Sequence, residues 1–335
     1  MKSWTGCLNA CHSLSRNCLA AISPLRLFAA VKPKLAIVLG PTAVGKSDTV
    51  LDLALHFDAE IISADSQQVY RYMDIGTAKP SKEQRQAVPH HLIDIVDPNE
   101  EFNAAMFRNL ATEIAYKLAD RDKRVIVCGG TGLYIKALAQ GLFAGPGGDP
   151  QIRQALEWEL EEHGIPWLYR RLEQVDPQSA ARIHPNDRQR ITRALEVCYA
   201  TGRKISEWQS EHRFNDLLFD VLKIGLNRPR SDLYDRIDRR CEFMIRAGLL
   251  DEVEKLVDMG YGLDLKPMQS IGYRHLGLFL RARISLDNAV DLMKRDTRRF
   301  AKRQLTWFRG DREIRWFDPE TQRGNIEDTV REFYA

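Results

Sequence analysis

Short apolar runs alternate with helical patterns along the first part of the chain. Three runs predict buried strands: residues 35–39 (LAIVL), 59–63 (AEIIS) and 124–128 (RVIVC). Two segments between them, 46–57 and 103–119, place apolar residues at helical spacing. Strands that alternate with helices in this way indicate an open parallel sheet with helices on both faces. We therefore predict an α/β fold.

The same patterns predict further elements later in the chain. Residues 92–96 and 219–226 read as strands, and residues 133–139 as a helix. From 151 to about 212 only helical spacing is found, which predicts an all-helical insertion with helices over 152–162, 167–174 and 186–199. Helical spacing then returns over 231–247, 249–259 and 286–308.

These elements predict a division of the chain into four parts. The α/β core is expected over 33–143 and 216–320, interrupted by the helical insertion over 144–215, and residues 321–335 are expected to be a tail. Residues 1–32 contain basic residues and serines but no acidic residue. We expect a disordered leader there; the alternative is an organelle transit peptide, which would direct the protein to mitochondria instead of the cytoplasm.

Composition excludes several classes of protein. The net charge of +3 does not by itself indicate a nucleic-acid-binding protein. The six cysteines have no paired spacing, so neither a zinc site nor a disulfide framework is expected, and a reducing compartment fits best. No apolar run approaches the roughly 20 residues that span a bilayer, so no membrane partner is expected.

The chemistry begins at residues 40–47, which read GPTAVGKS. This is the phosphate-loop motif G-x-x-x-x-G-K-[ST], and it stands between a predicted strand and a predicted helix, as it must. Backbone N–H groups of such a loop bind phosphate oxygens, Lys46 adds a positive charge, and Ser47 offers a hydroxyl to Mg²⁺. The predicted phosphate-binding residues are Gly40, Pro41, Thr42, Ala43, Val44, Gly45, Lys46 and Ser47. The motif indicates a polyphosphate ligand without identifying it.

Asp65 is the carboxylate that directly follows a predicted strand near this loop. No acidic residue ends the strand over 124–128, where phosphate-loop proteins usually carry an aspartate that supports Mg²⁺. Asp65 has three possible roles. It could accept a proton from a nucleophile, support the metal ion, or cap a turn beside Ser63 and Ser66.

Six sequence blocks, in this order, resemble the tRNA dimethylallyltransferase (IPP transferase) family. They are GPTAVGKS (40–47), SADSQQVYRYMDIGTAKP (63–80), GGTGLY (129–134), RIHPNDRQRITRALEV (182–197), IGYRH (271–275) and AKRQLTWFRGD (301–311). The resemblance covers about residues 34–318. It implies a phosphate-loop NTPase-like sheet and the Mg²⁺-dependent transfer of a dimethylallyl group from its diphosphate to N6 of adenosine 37 of tRNA, beside the anticodon, with release of diphosphate.

The resemblance also implies roles for individual residues. Asp65 would be the catalytic base, while Thr131 and Arg236 would contact the diphosphate; for Arg236 the alternative is a solvated helix face. Contacts with the anticodon stem-loop would come from two segments: Asp65, Ser66, Gln67 and Gln68, and Gln189, Arg190, Ile191, Thr192 and Arg193.

The segment over 294–315 is rich in basic residues with interspersed aromatic ones. Arg295, Arg299 and Arg303 fall on one helical face, which suits contacts with an RNA backbone, and we predict RNA contacts for Arg299 and Arg303. The alternative is an amphipathic helix whose charges are merely solvated.

Three other functions share some of these features. A phosphate-loop kinase for a nucleoside or metabolite would consume ATP, a non-catalytic RNA-binding NTPase would bind tRNA without alkylating it, and a related isopentenyltransferase would act on free adenine nucleotides. The helical insertion and the basic C-terminal helix favour a large RNA. We expect a monomer.

Overall fold

Strands form a single parallel sheet in the part of the chain that the structure describes. The computed structural model describes residues 32–142, 148–212 and 217–335, so the predicted leader lies outside the described residues except for Lys32. The strands are β1 (Lys34–Leu39), β2 (Ala59–Ser63), β3 (His90–His91), β4 (Arg124–Gly129), β5 (Asp220–Leu226) and β6 (Arg315–Phe317). The predicted α/β class is confirmed.

The strand order places the predicted site loops beside one another. The order is β3-β2-β4-β1-β5-β6, and every pairing is parallel. In the register of β1, Ile37 lies opposite Val127 of β4 and Lys223 of β5. Because β2, β4 and β1 are neighbours, the loops that follow them meet at the carboxyl edge, where ligands of open parallel sheets bind.

Helices cover the sheet before and after the insertion. The first group consists of α1 (Lys46–Phe57), α2 (Lys82–Ala87), α3 (Ala104–Ala119) and α4 (Gly132–Gln140). The insertion contains α5 (Pro150–His163), α6 (Ile165–Val175), α7 (Pro177–Ala180), α8 (Arg188–Thr201) and α9 (Ile205–His212). The last group consists of α10 (Arg230–Arg246), α11 (Leu249–Asp258), α12 (Tyr273–Leu280), α13 (Leu286–Phe308) and α14 (Arg323–Tyr334).

Helix α1 illustrates how the sequence pattern becomes packing. Val50, Leu53, Ala54 and Phe57 recur at helical spacing, and all four are buried against the sheet cluster. The helix ends where Asp58 adopts a left-handed conformation with φ 49°. The apolar face therefore fixes the helix whose N-terminus begins at the phosphate loop.

The insertion has a small hydrophobic cluster of its own. Its buried members include Leu156 of α5, Leu168 and Leu172 of α6, and Ile191 and Leu195 of α8. Because helices with one apolar face need a partner for that face, these helices cover one another. The region is helical, as the spacing predicts; that 144–215 forms a separate domain that contacts tRNA stays a prediction.

Two sequence assignments differ from the structure. The strand predicted over 92–96 is wrong: β3 ends at His91, and Leu92 and Asp94 have left-handed φ values of 61° and 58°, which no continuous strand accommodates. The expected tail over 321–335 contains α14, whose Ile326 and Val330 are buried in the main core. These two residues are one helical turn apart, which is the signal that the sequence offers.

Candidate active site

A cavity of about 750 Å³ opens at the carboxyl edge of the sheet. One side, the sheet wall, consists of the phosphate loop (40–47), the turn over 65–68 and residues 130–131. The other side, the helix wall, is formed by α10 and α13. The cavity is lined by seven basic side chains: Lys46, Lys79, Arg236, Arg239, Arg240, Arg274 and Arg303. The arrangement suits a polyanionic ligand.

The phosphate loop has the backbone that its glycines predict. Gly40 has φ 149°, and a Cβ there would lie 2.6 Å from the carbonyl oxygen of Leu226, so only glycine fits. Gly45 has φ 109° and precedes the first residue of α1. Val44 is fully buried, so this member of the predicted set contributes packing and backbone groups.

Lys46 is held by the loop itself. Its Nζ donates hydrogen bonds to the carbonyl oxygens of Gly40 (3.0 Å) and Pro41 (2.7 Å). The pKa of Lys46 is lowered to about 8, chiefly because burial desolvates its ammonium group and in part because Arg240 is positively charged. An anionic ligand beside this ammonium group would stabilise its protonated form.

Ser47 stands in the first turn of α1, exposed at the same cavity. Mg²⁺ usually binds through one or two protein oxygens together with phosphate oxygens and water. An exposed hydroxyl beside a phosphate loop fits that pattern, so Ser47 is a suitable magnesium ligand. Among the described residues there is no group of three or more His, Cys, Asp or Glu side chains placed to hold a metal ion.

Asp65 caps a turn and also faces the cavity, while its roles as proton acceptor or metal support stay predictions. Its Oδ1 accepts hydrogen bonds from the backbone N–H groups of Gln67 (2.8 Å) and Gln68 (3.4 Å), so the side chain caps a turn. The same carboxylate lines the cavity, and its charge acts on both Lys46 and Arg240. Turn capping through one oxygen holds the carboxylate in place at the cavity.

Thr131 joins the loop after β4 to the turn of Asp65. Its Oγ1 accepts a hydrogen bond from the N–H of Ser66 (3.0 Å), and its own N–H donates to the carbonyl oxygen of Ala64 (3.3 Å). A hydroxyl that accepts one bond still has a proton to donate. The contact with a diphosphate that the resemblance implies for Thr131 stays a prediction.

The glutamines of the turn are placed differently from each other. Gln68 accepts a bond from Ser63 Oγ (2.9 Å) and donates to the carbonyl oxygens of Thr77 (3.3 Å) and Ala78 (3.2 Å). Both the oxygen and the nitrogen of its amide are therefore hydrogen-bonded within the protein. Gln67 lines the cavity, and its Oε1 is buried with no hydrogen-bond partner in the described chain.

Arg236 faces the cavity and contacts the phosphate loop. Its Nε donates to the carbonyl oxygen of Ala43 in the phosphate loop (3.0 Å), and the residue lines the cavity. This observation argues against the solvated alternative for Arg236, whereas its neighbour Arg239 is exposed.

Arg240 is a site residue that sequence reasoning missed. It lies one helical turn after Arg236 and lines the cavity, and within the described chain it has no hydrogen-bonded or ion-paired partner. Burial lowers the pKa of its guanidinium, while the charge of Asp65 raises it. An unpaired cation in such surroundings costs free energy unless an anion joins it. The i, i+4 spacing from Arg236 was the available signal.

Gln304 of α13 is the second missed residue. Its Oε1 accepts from the N–H of Thr42 (2.9 Å), and its Nε2 donates to the carbonyl oxygen of Gly130 (2.9 Å). Only 7% of the residue is exposed. No local pattern identifies these partners, which lie more than 170 positions away in sequence.

The predicted tRNA contacts in the insertion lie elsewhere. Within the described residues, the walls of the cavity include none of positions 189–193. Gln189 and Arg190 are exposed on α8, whereas Ile191 is fully buried in the insertion cluster, so its side chain is not available to RNA. Arg193 pairs with the buried Glu196 at 2.9 Å.

The two predicted RNA contacts of α13 occupy different surroundings. Arg303 lines the cavity, 5.8 Å from the ring of Phe300. Arg299 is 62% exposed and lies 3.5 Å from Asp296. Asp296 also accepts from Arg274 (2.5 Å). Burial raises the pKa of the Asp296 carboxyl, but hydrogen bonds with its neighbours outweigh burial and hold that pKa below the usual range.

Comparisons with known proteins agree with this geometry. The family model described as IPP transferase matches residues 68–311. The chain is 53% identical over 296 residues to a tRNA dimethylallyltransferase of Syntrophobacter fumaroxidans, covering 88% of this chain and 86% of that one. It is 54% identical over 300 residues to tRNA dimethylallyltransferase 2 of Syntrophus aciditrophicus, covering 90% and 95%.

Solved structures show the same likeness. The tRNA isopentenylpyrophosphate transferase of Bacillus halodurans superimposes with a TM-score of 0.67 at 40% identity, covering 90% of this chain and 97% of that one. A eukaryotic dimethylallyltransferase acting on tRNA has a TM-score of 0.73 at 29% identity, with 89% and 78% covered.

Proposed function

The chain belongs to the IPP transferase family and prenylates tRNA, and from this premise we propose its donor, its acceptor atom and the roles of its residues. The donor is dimethylallyl diphosphate. The acceptor is N6 of the adenosine at position 37, presented by the anticodon stem-loop. The products are the prenylated tRNA and diphosphate.

The observation that carries the proposal is the shared cavity. A phosphate loop, a carboxylate and several arginines face one space of about 750 Å³, within the range of about 300–1,000 Å³ that ligand pockets occupy. The cations on the two walls suit the diphosphate, and Asp65, one of two aspartates that line the cavity with Asp48, is the one we propose to take a proton. An alkylation with an anionic leaving group needs both groups together.

The bond changes are those of a substitution at an allylic carbon. The bond between that carbon and the bridging oxygen of the diphosphate breaks, and the N6–carbon bond forms. N6 loses one proton, which Asp65 accepts while its Oδ1 remains fixed by Gln67 and Gln68. General-base assistance of this kind contributes roughly 10²–10⁴-fold to a rate.

The departing diphosphate takes up the electron pair and needs positive charge. Loop N–H groups, Lys46, Arg236 and Arg240 supply it from both walls of the cavity. Mg²⁺, held at Ser47 and the phosphate oxygens, would add Lewis-acid stabilisation of the same charge. Nζ of Lys46 uses two of its three N–H donors on Gly40 and Pro41, which leaves the third for the diphosphate.

The acceptor base must leave its stack to enter the cavity. Flipping a nucleotide costs a few kcal/mol, which is least for loops whose bases are unpaired. The turn over 65–68 and Arg303 of α13 line the cavity where such a loop would dock, and Arg299 lies one helical turn before Arg303 on the same helix. The Gln67 side chain lines the same cavity, and its buried Oε1 has no hydrogen-bond partner in the described chain.

A phosphate-loop kinase is not favoured. The relatives from Syntrophobacter and Syntrophus are tRNA prenyl transferases that match over most of their length, and helical elements flank the cavity with basic side chains that a small acceptor does not require.

The proposal is tested with purified protein, Mg²⁺, radiolabelled dimethylallyl diphosphate and an unmodified anticodon stem-loop hairpin. Label is expected in RNA that carries adenosine at position 37 and not in the same hairpin with guanosine there. A parallel reaction supplies ATP instead of the allylic donor. Label that enters the guanosine hairpin equally, or ATP consumption without prenyl transfer, would contradict the proposal.

We further propose a monomer that acts in the cytoplasm. Among the described helices, none is both long enough and apolar enough to cross a membrane. Light scattering of the protein with and without the RNA hairpin tests the monomer. A stable dimer would contradict that part alone.

A further inference from the structure

Helix α13 connects the outside of the protein to two segments of the sheet wall, the phosphate loop and residues 130–131. Arg299 and Arg303 stand on its basic face, and the next residue, Gln304, is buried. A surface helix normally buries apolar residues against the sheet. A buried carboxamide at the centre of such a contact needs partners, and here these partners belong to the active site.

Both ends of the Gln304 amide are used. The N–H of Thr42 in the phosphate loop donates to Oε1, and Nε2 donates to the carbonyl oxygen of Gly130, each at 2.9 Å. Rotating the amide by half a turn would place donor against donor and acceptor against acceptor. The orientation of the side chain is therefore fixed by the two loops, and the distance between the loops is fixed by the side chain.

Close packing strengthens this connection. A Cβ at Gly130 would lie 2.3 Å from Gln304 Nε2, and a Cβ at Gly132 would lie 2.3 Å from Trp307 Nε1. The helix thus contacts the loop after β4 at two points, three residues apart on α13. Thr131 lies between these two glycines and holds the N–H of Ser66 beside Asp65.

We infer that Gln304 is a positioning residue that couples RNA binding on α13 to diphosphate binding in the phosphate loop. The inference rests on the proposed function, because it takes α13 as an RNA contact and a diphosphate as the ligand of the loop. RNA that fixes α13 fixes Gln304, which holds Thr42 and Gly130 at the spacing that the donor requires. By linkage, diphosphate then strengthens RNA binding by the same factor.

The test measures the dissociation constant of inorganic pyrophosphate with Mg²⁺, by calorimetry, with and without a saturating anticodon stem-loop hairpin. The ratio of the two constants is the coupling factor, and couplings between sites are typically about 5–150-fold. In the wild type we expect a factor in this range. In Gln304→Met, which keeps the length of the side chain without its hydrogen bonds, we expect the factor to fall to about 1.

Two further variants sharpen the test. Gln304→Glu keeps an acceptor for the N–H of Thr42 but loses the donor to Gly130, and we expect an intermediate coupling factor. Thr306→Ala is the matched control on the same helix, because its exposed hydroxyl donates to the carbonyl oxygen of Lys302 and bonds to no other group among the described residues. It should leave the coupling factor unchanged.

A purely structural role gives a different result. Gln304→Met would then lower the melting temperature and weaken pyrophosphate binding equally with and without RNA. The coupling factor would stay at its wild-type value, and the inference would be wrong. A wild-type factor of about 1 would overturn it too. Prenyl transfer by the wild type is assayed separately, so that failure of the proposed function is recognised on its own.

Discussion

The two walls of the cavity hold their polar groups in opposite ways. On the sheet wall, functional side chains are bonded to nearby backbone: Lys46 to Gly40 and Pro41, and Asp65 to Gln67 and Gln68. On the helix wall, the partners lie far away in sequence or are absent. Arg236 donates to Ala43 and Gln304 bonds to Thr42 and Gly130, whereas Arg240 has no bonded partner among the described residues. The first wall is built locally, and the second brings charge from a helix that is distant in sequence. The sheet wall is fixed by local bonds, and the helix wall adds both positive charge and contacts from distant segments.

The largest expected effect tests whether Asp65 does more than hold its turn. Asn at this position retains an oxygen that accepts from Gln67 and Gln68, so the turn is preserved, but an amide does not accept the proton of N6. We expect Asp65→Asn to lower the rate of transfer by roughly 10²–10⁴-fold. Single-turnover transfer measures this rate.

Pyrophosphate and RNA binding are the control for Asp65→Asn. Both should remain within about twofold of the wild type if the turn is preserved. A pyrophosphate affinity that falls in step with the rate would instead assign Asp65 to the metal ion.

The next largest effect is expected when a positive charge is removed from the helix wall. Arg240→Met keeps much of the length of the side chain and removes its cation. Hydrogen bonds to charged groups contribute about 1.5–3 kcal/mol, so pyrophosphate binding should weaken by roughly 10–150-fold. Arg246→Met, at the exposed end of the same helix, is the matched control. Equal affinities for the two variants would remove Arg240 from the site.

A smaller effect concerns the RNA side of α13. Arg299→Gln together with Arg303→Gln should weaken hairpin binding and reduce the slope of log Kd against log salt by about 1 for each RNA phosphate that the variant no longer neutralises. Arg331→Gln on α14 provides a control in which a basic residue away from the cavity is neutralised. An unchanged slope in the double variant would mean that these arginines are only solvated.

The smallest effect is a pH dependence on the sheet wall. The pKa of Lys46 is about 8 in the folded protein, so its cation is present below that pH and is lost as the pH rises through it. Pyrophosphate affinity should decline above about pH 8, and not only near the 10.5 of an ordinary lysine. The comparison is made with Lys46→Ala across the same range, because pyrophosphate itself titrates. Parallel pH profiles of the two proteins would show that Lys46 does not cause the decline.

The contrast between the walls also explains what the sequence could predict. The phosphate loop follows a strand and precedes a helix within about a dozen residues, so motif and periodicity located it correctly. Gln304 and Arg240 acquire their surroundings only when α10 and α13 pack over the sheet edge. A pattern read along one segment contains no information on a partner that another segment supplies.

The errors have a physical origin of the same kind. Residues 92–96 are apolar enough for a strand, but left-handed backbone at Leu92 and Asp94 turns the chain away from the sheet. Ile191 belongs to a block whose resemblance suggested RNA contact, yet its apolar side chain fills the insertion cluster. A block that matches a family contains residues that pack as well as residues that bind.

The short outer strands of the sheet have a consequence for aggregation of the protein. The edges are β3, with two residues, and β6, with three. Unpaired N–H and C=O groups along a sheet edge are what another chain needs to add a strand. The long apolar strands β1 and β4 lie inside, so intermolecular strand addition and fibril growth find only two short, weak templates on this sheet.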